Sequence, residues 1–412
     1  MLDVLHRTLD GAGEVREAGP DDVVDGVPAV LVARPTTVEG VSALLRETAR
    51  AGLVTVARGA GTALDWGAPP ERVDLLLDTS GLDRVVEHGA GDLVVVTEAG
   101  VRLDRLAEQL AGAGQELVAE VPRERVAAGS TVGGALATAA SGPRRLARGA
   151  LRDLVLGTTV VRADGVVASS GGKVVKNVAG YDLGKLMTGS YGTLGVVVRA
   201  AFRLHPLPAA RSFAVVPGDL RSAAGAALRL VSSQLAPAAV EIDRPAGSDR
   251  ATVAVLFEGA APAAAARRDE AASVTGGSAG EEPAWWGHLP GVPGDVLLKI
   301  TTTLPGVADV LAAARVAEQA HGVPVALRGS AAGVLYAAVP HDADPSAVAV
   351  VVAALRPRSP GDGTLLVLRA PAGVRAAVDA WGAVPGIELM RRVKEQFDPQ
   401  RLLAPGRFVE GI

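Results

Sequence analysis

The sequence contains no cysteine, and this absence narrows the chemistry that the chain can support. Without thiolates the chain forms no disulfide, ligates no iron–sulfur cluster through its own cysteines, and makes no cysteinyl bond to a cofactor. Aromatic residues make up only 3% of the chain, although 49% of its residues are hydrophobic. The hydrophobic core is therefore expected to consist mainly of Ala, Val and Leu.

Long hydrophobic runs and a strong net charge are missing as well. The longest apolar stretch, Ala347 to Leu355, is far shorter than the ~20 residues that a membrane-spanning helix needs. The N-terminus lacks the basic segment and following apolar run of a signal peptide. The formal net charge of −4 gives no reason to expect nucleic acid or an acidic membrane as a partner. We therefore expect a cytoplasmic protein without a membrane span.

At 412 residues the chain is too long for one compact core, and two domains are expected. Strand-like and helix-like segments alternate up to about residue 208, beginning with a strand–helix–strand unit whose helix has Thr36 as its N-cap. From there to residue 387, alternating apolar residues and Ala-rich segments predict an antiparallel sheet covered by helices. We therefore divide the chain into a leader (1–27), a first domain (28–208), a second domain (209–387) and a tail (388–412).

Three glycine-rich bends in the first domain are candidates for binding an anion. The first bend, residues 58–62, follows the second strand of the strand–helix–strand unit, and ligands bind at this edge of open α/β sheets. The second bend, residues 129–134, leads into a helix of small residues whose N-terminal amides can bind an anion. The third bend, residues 189–196, can form an anion-binding nest of amides. Each bend alone is also compatible with a tight turn or with closely packed small residues.

Together the three bends resemble the FAD-binding domain of the vanillyl-alcohol oxidase (PCMH-type) flavoprotein family. The resemblance covers residues 28–208 and, more loosely, the tail from Lys394 to Phe408. It implies an α+β fold, in which a PCMH-type FAD-binding fold of two subdomains is followed by an α+β cap domain with an antiparallel sheet. Within the family, residues 142–145, 176–183 and 189–192 look most like the FAD-binding E subunits of bacterial glycolate oxidases.

The resemblance implies that the amides of the first and second bends hold the diphosphate of FAD, and that the third bend lies along the flavin and the adenine. Covalent members of the family carry a histidine in the first bend, which is absent here, so FAD is expected to bind non-covalently. We expect Gly133→Asp to abolish this binding by setting a carboxylate against the diphosphate. The expected cofactor-binding residues are Arg58, Gly59, Ala60, Gly61, Thr62, Gly129, Ser130, Thr131, Gly133, Gly134, Asn177, Gly180, Tyr181, Gly189, Gly192, Thr193, Gly195 and Val196.

The resemblance also implies an FAD-dependent oxidoreductase that oxidises a small 2-hydroxy acid, glycolate, to glyoxylate. As a subunit of a glycolate oxidase complex, the chain would work with a catalytic FAD subunit and an iron–sulfur subunit. No catalytic base is evident, because none of the six histidines lies at metal-ligand spacing from another. Tyr191 also replaces the glutamate that catalytic relatives carry, and no metal site is expected.

Two alternatives remain open from the sequence. The chain is a self-sufficient FAD oxidase or dehydrogenase with Tyr181, Tyr191 or His288 as its base, or it is a non-catalytic subunit that binds little or no flavin. The basic residues Arg144 and Arg145 bind a ligand carboxylate or phosphate, or face solvent or a neighbouring subunit.

Overall fold

The computed structural model describes residues 1–173, 181–357, 359 and 361–412. The chain divides into two compact units. The first unit comprises Met1–Ser141, Ala150–Leu207 and Gly386–Ile412, and the second comprises Gly142–Gly149 and Pro208–Pro385. The short segment 142–149, which lies within the predicted first domain, thus belongs to the second unit.

Two sheets form the framework of the first unit. One has the strand order β1-β3-β5-β4 with β2 paired to β3, and the other has the order β10-β9-β11-β7-β6. β5 is parallel to both β3 and β4, whereas the pairs of the second sheet are antiparallel. The strands of this unit are β1 (Gly13–Glu17), β2 (Val23–Val24), β3 (Val27–Pro35), β4 (Thr55–Arg58), β5 (Val73–Asp78), β6 (Val85–Gly89), β7 (Val94–Glu98), β8 (Gln115–Glu116), β9 (Val155–Val161), β10 (Val167–Gly171), β11 (Val196–Arg203) and β12 (His205–Pro206).

The second unit is built on one antiparallel sheet with the order β16-β13-β15-β14-β18-β19-β17-β20. This confirms the predicted α+β fold with an antiparallel sheet in the C-terminal half. The strands are β13 (Ala210–Asp219), β14 (Ala239–Arg244), β15 (Arg250–Gly259), β16 (Ser278–Gly280), β17 (Val296–Thr302), β18 (Ala326–Ser330), β19 (Val334–Val339) and β20 (Gly363–Arg369).

The α-helices of both units follow the apolar periodicity of the sequence. They are α1 (Leu2–Leu9), α2 (Val38–Ala51), α3 (Leu103–Ala111), α4 (Arg123–Ala127), α5 (Val132–Thr138), α6 (Arg145–Arg148), α7 (Leu151–Leu154), α8 (Leu183–Met187), α9 (Leu220–Val231), α10 (Ala261–Thr275), α11 (Gly306–His321), α12 (Pro345–Leu355), α13 (Ala372–Ala377) and α14 (Ile387–Phe397). Apolar residues of α9, α11 and α12 pack on one face of the second unit's sheet and form its main core.

Helix α2 begins one residue later than the capping pattern predicts. Thr37, not Thr36, is the N-cap, because its side-chain oxygen accepts a 3.0 Å hydrogen bond from the amide of Gly40. The helix ends at Gly52, whose φ of 65° lies in the left-handed region that glycine adopts readily. Its apolar face, including Leu44 and Leu45, is buried in the core of the first sheet.

Residues 1–27, predicted to be a loosely paired leader, are part of the first unit's structure. α1 buries Leu5 and Leu9, which lie one helical turn apart, in the same core as α2. β1 pairs along its whole length with β3. The prediction overlooked this helical spacing because the surrounding residues are polar and rich in Asp and Gly.

The C-terminal residues return to the first unit. The amide of Ala404 donates to the carbonyl of Thr55 on β4, and the amide of Thr55 donates to the carbonyl of Leu402. α14 adds Val393 and Phe397 to the core of the second sheet. The tail thereby contacts the strand that leads into the first bend.

Candidate functional site

The first bend begins at the end of β4, and its first side chain is held by two carboxylates. The guanidinium of Arg58 bonds Asp22 at 2.9 Å and Asp78 at 3.0 Å. Arg16, the amide of Gly19 and Arg58 all donate to Asp22, so that the pKa of this carboxyl lies below its ordinary value despite burial. The hydroxyl of Thr79 also donates to the carbonyl of Arg58 at 3.0 Å. The Arg58 side chain therefore anchors the bend from behind.

The backbone amides of the first bend are available to a ligand. Within the part of the chain that the structure describes, the amides of residues 59–62 donate to no protein acceptor. Gly61 has a φ of 75°, which a residue with a side chain adopts at a cost. Consecutive unpaired amides attract an anion, and a ligand is the partner that such groups need once water is excluded.

The second bend lies directly against the first. The hydroxyls of Thr62 and Ser130 are 2.7 Å apart. A Cβ added to Gly59 would lie 2.2 Å from Oγ1 of Thr131, so this close approach requires glycine. Buried Arg125 donates to the carbonyl of Thr62 and lies 4.0 Å from the centroid of the Trp66 ring. Sequence reasoning missed Arg125, because no local pattern connects it with the first bend.

Most amides of the second bend are already used within the protein, unlike those of the first. Val132 donates to the carbonyl of Val101 at 2.9 Å, and Gly133 donates to that of Ala99 at 2.7 Å. The amides of Gly129, Ser130 and Gly134 donate to Val126, Arg125 and Thr131. The second bend therefore borders the site mainly through its surface, because five of its amides donate to protein acceptors and only that of Thr131 has none among the described residues.

Gly133 has no room for a side chain, and this changes the physical reason for the expected effect of Gly133→Asp. A Cβ at this position would lie 2.8 Å from the Cβ and 3.1 Å from the carbonyl oxygen of Ala99. Any side chain there would force α5 away from β7. The physical reason given from the sequence, charge repulsion against a diphosphate, is replaced by a steric one.

The third bend is attached to the C-terminal end of α5. The amide of Gly189 donates to the carbonyl of Leu136 at 2.8 Å, and that of Tyr191 donates to Ala137 at 2.9 Å. The Tyr191 ring lies 5.8 Å from that of Phe408 and also borders Gly67, five residues beyond the first bend. A Cβ added to Gly192 would have no neighbouring atom within 4 Å, whereas Thr193 and Val196 are buried. All three bends thus lie in one region of the first unit.

Of the expected flavin-side residues in the segment before α8, the structure describes Tyr181, which is 91% exposed. Asn177 and Gly180 lie outside the described residues.

Two cavities flank the first bend, and both include Ala60 and Ser80. One has a volume of about 400 Å³, and its charged lining residues are Asp83, Arg102 and Arg105, of which Arg102 is paired with Asp104. The other, of about 700 Å³, carries four carboxylates and the single guanidinium of Arg58. Ala60 borders both cavities, whereas Gly59 and Gly61 line only the larger one. Four carboxylates repel a diphosphate, so the smaller cavity, where Arg105 has no ion-pair partner among the described residues, is the better electrostatic match for it. The unpaired amides, with the smaller cavity at Ala60, fit a dinucleotide.

A second polar region lies in the second unit, on the sheet face opposite its main core. Asp243, Arg328, Tyr336 and Lys299 are successive register partners on β14, β18, β19 and β17. Nε of Arg328 donates to Asp243 at 2.7 Å, yet burial keeps the pKa of this carboxyl above its ordinary value. We call these four residues the cross-strand row.

Lys299 is the cationic end of the cross-strand row. Burial, with a smaller contribution from the neighbouring Arg145, lowers the pKa of Lys299 to about 8. Among the described residues, no side chain forms an ion pair with its ammonium. The sequence does not reveal this row, because strand register cannot be read from the apolar alternation alone.

The basic segment 142–149 is bound by a carboxylate of its own unit. Arg144 and Arg148 lie 3.1 and 3.2 Å from the two carboxylate oxygens of Glu258, and Arg211 lies 3.2 Å from one of them. Burial alone would raise the pKa of Glu258, but the three guanidinium groups outweigh it and hold the pKa below its ordinary value. Arg144 therefore has an internal partner.

In the residues that the structure describes, no group of three His, Asp or Glu side chains is arranged to hold a metal ion. None of the described helices combines the length and apolar character that crossing a membrane requires.

Comparison with protein families agrees with the site. Residues 29–171 match the family described as FAD binding domain, and residues 381–408 match the C-terminal domain of FAD linked oxidases. Among solved structures, alkyldihydroxyacetonephosphate synthase has a TM-score of 0.67 over 92% of this chain and 77% of that one, at 17% identity. At this identity the likeness defines the fold only.

Individual relatives match part of the chain. The chain is 41% identical over 126 residues to glycolate oxidase subunit GlcE of Escherichia coli, and 37% identical over 176 residues to D-lactate dehydrogenase of Archaeoglobus fulgidus. It is 35% identical over 188 residues to the mitochondrial D-2-hydroxyglutarate dehydrogenase of Rattus norvegicus. In the same order, these alignments cover 31%, 43% and 45% of this chain and 35%, 39% and 34% of the respective relatives. The chain therefore spans well under half the length of these relatives.

The fold combines a first unit that holds the three bends with an α+β unit built on an antiparallel sheet. With the family matches, residues 29–171 form an FAD binding domain, residues 381–408 resemble the C-terminal domain of FAD linked oxidases, and the cofactor is FAD.

Proposed function

We propose that this chain is the FAD-binding subunit of a glycolate oxidase complex, in which it acts with a catalytic FAD subunit and an iron–sulfur subunit to oxidise glycolate to glyoxylate. The observation that carries the proposal is the run of unpaired amides at residues 59–62, with the second bend lying directly against it. The identity with glycolate oxidase subunit GlcE supports the choice of complex. The missing cysteines support the need for a separate iron–sulfur subunit.

In this proposal the residues of the first unit bind and orient FAD non-covalently. The amides of Gly59, Ala60, Gly61 and Thr62 are the candidate donors to its diphosphate. When bound, the flavin supplies the acceptor for the hydride that a hydroxy acid loses on oxidation. The second and third bends enclose the cofactor and exclude water from it.

Recognition of a 2-hydroxy acid needs a cation for its carboxylate, and Lys299 is our candidate. It is partly buried and has Arg145 beside it, so an incoming carboxylate would meet two positive charges in a poorly solvated place. A small carboxylic acid is the substrate class that such a pair favours.

A second candidate function is a self-sufficient FAD-dependent dehydrogenase of the same substrate class. It is favoured by the cross-strand row, where Tyr336 lies between the cationic residues Arg328 and Lys299. Positive charges on both sides stabilise the negative charge that a phenol acquires on losing its proton. The tyrosines considered from the sequence are less suited to this role, since Tyr181 is exposed and Tyr191 packs beside Phe408.

Purification of the chain alone, and together with candidate partner subunits, separates these functions. The proposed subunit binds FAD one to one and is yellow, yet turns over glycolate only when its partners are present. Turnover of glycolate by the chain alone would favour the second candidate. A colourless chain that takes up no added FAD would contradict both and would indicate a non-catalytic subunit.

A further inference from the structure

Lys394, on α14, is a buried cation that reaches from the tail to the third bend. Its ammonium donates to the carbonyl of Thr193 at 2.7 Å, to the carbonyl of Leu403 at 2.9 Å and to the carboxylate of Asp398 at 2.7 Å. The side chains of Lys394 and Asp398 are 3% and 0% exposed. All three hydrogens of the ammonium are therefore used without water.

Asp398 connects the Lys394 ammonium with the backbone of the tail that follows α14. Its two carboxylate oxygens accept hydrogen bonds from the amides of Leu402 and Leu403, at 2.9 and 2.8 Å. Burial lowers the pKa of Lys394, although the charge of Asp398 opposes this effect. Two of the lysine's partners thus belong to the tail itself, and Thr193 is the one outside it.

The contact with Thr193 fixes the direction of the next amide. In a trans peptide the carbonyl of one residue and the N–H of the following residue point to opposite sides. Because the Thr193 carbonyl points at Lys394, the Leu194 N–H points away from the tail. In the described part of the chain this N–H donates to no protein acceptor.

The first bend repeats the arrangement. The carbonyls of Arg58 and Thr62 accept hydrogen bonds from the Thr79 hydroxyl and from Arg125. The next amides in the chain, those of Gly59 and Ala63, therefore point to the other side, and neither donates to a described protein group. In both bends a buried side chain holds a carbonyl and leaves an amide free.

We propose that Lys394 is a positioning residue for the FAD site, which aims the Leu194 amide at the cofactor by holding the Thr193 carbonyl. This inference rests on the FAD-binding part of the proposed function. It adds Leu194 to the cofactor contacts and gives the C-terminal tail a role in binding.

The test separates positioning from simple stabilisation with two variants. Lys394→Met/Asp398→Asn removes both charges, so that no buried charge is left unpaired. Asp398→Asn alone keeps the hydrogen bond from Lys394 to the Thr193 carbonyl but removes the negative charge that pairs with the Lys394 ammonium. Thermal unfolding of the FAD-free chains is compared with FAD affinity, measured by quenching of flavin fluorescence, and with the visible spectrum of the bound flavin.

We expect the double variant to lose at least about tenfold in FAD affinity and to shift the flavin spectrum, because the Thr193 carbonyl then loses its charge-assisted hydrogen bond and no longer fixes the Leu194 amide. Asp398→Asn lowers the unfolding temperature but keeps FAD affinity within about threefold of wild type. Arg392→Met, which removes an exposed charge from the same helix, serves as the matched control and leaves both quantities unchanged.

Wild-type FAD affinity in a folded double variant would overturn the proposal. So would parallel losses of stability and affinity in Asp398→Asn, since the lysine would then act only through stability. A wild-type chain that binds no FAD would instead overturn the proposed function, and this inference with it.

Discussion

Ala60 is the exposed tip of the first bend and borders both cavities. Ala60→Asp places a carboxylate beside the free amides, where it competes with the diphosphate. Like charges ~4 Å apart repel by about 4 kcal/mol near a protein surface, so we expect FAD affinity to fall by well over tenfold. Titration of the FAD-free chain with FAD measures this effect. Ala60→Asn, of the same size but uncharged, is the control, and an equal loss in both variants would rule out a charge effect.

Lys299 gives the substrate site of the proposed function a pH dependence. Its pKa of about 8 means that the ammonium is charged below that pH and neutral above it. We therefore expect the affinity for a 2-hydroxy acid to be full at pH 7 and to fall as the pH rises through about 8, while Arg145 stays charged.

Lys299→Met should remove this pH dependence and raise KM about tenfold, with kcat changed less. Steady-state kinetics of the active enzyme from pH 6 to 10 provide the measurement. Arg221→Met removes an exposed charge from the same unit and serves as the control. An unchanged KM in Lys299→Met would exclude this lysine from carboxylate recognition.

Residue-scale chemistry explains why the site was only partly predictable. The glycines of the first bend, and the exposed Ala60 between them, are visible in the sequence because the chain needs small residues where backbones approach closely. Arg125 and Lys394 are not visible as parts of the site, since each acts on a carbonyl distant in sequence. The direction of the amides in the second bend depends on its contacts with Ala99 and Val101, which only the fold creates.

At the scale of one element, the cap of α2 is a direct stability test. Thr37→Ala removes the side-chain acceptor of the Gly40 amide and is expected to cost about 1 kcal/mol of unfolding free energy. Thr36→Ala is the matched control, because Thr36 is exposed and precedes the cap. Denaturation in urea distinguishes them, and a larger loss in Thr36→Ala would restore the cap position predicted from the sequence.

The segment around α6 depends on Glu258 for its place in the second unit. Glu258→Gln leaves three arginines without their shared carboxylate, and we expect a loss of about 3 kcal/mol in unfolding free energy. Glu270→Gln, at an exposed position, is the control for urea denaturation at pH 7.

The carboxylate of Glu258 also makes the unfolding free energy depend on pH. The pKa of Glu258 is lower in the folded state, so its contribution is present above the pKa of an unfolded glutamate. It is lost as the pH falls through the lower, folded-state pKa. Wild type should therefore lose its advantage over Glu258→Gln in acid, and an advantage that persists there would contradict the ion-pair account.

At the scale of the whole molecule, alternating residues on strands such as β13, β17 and β20 were enough to predict the antiparallel sheet of the second unit. Their register was not predictable, and with it the cross-strand row remained hidden. The structure of residues 1–27 was not predictable either, because Leu5 and Leu9 become buried only when they pack against residues of α2 and β3. Long-range pairing, rather than local propensity, accounts for these differences.

The proposed function depends on binding of the FAD diphosphate by the free amides of the first bend. Hydrogen–deuterium exchange at amide resolution, with and without FAD, tests it most directly. We expect FAD to slow exchange strongly at Gly59, Ala60, Gly61 and Thr62, and to change it less at Val132 and Gly133, whose amides already have partners. Unchanged exchange at residues 59–62 in a chain saturated with FAD would show that these amides do not bind the diphosphate.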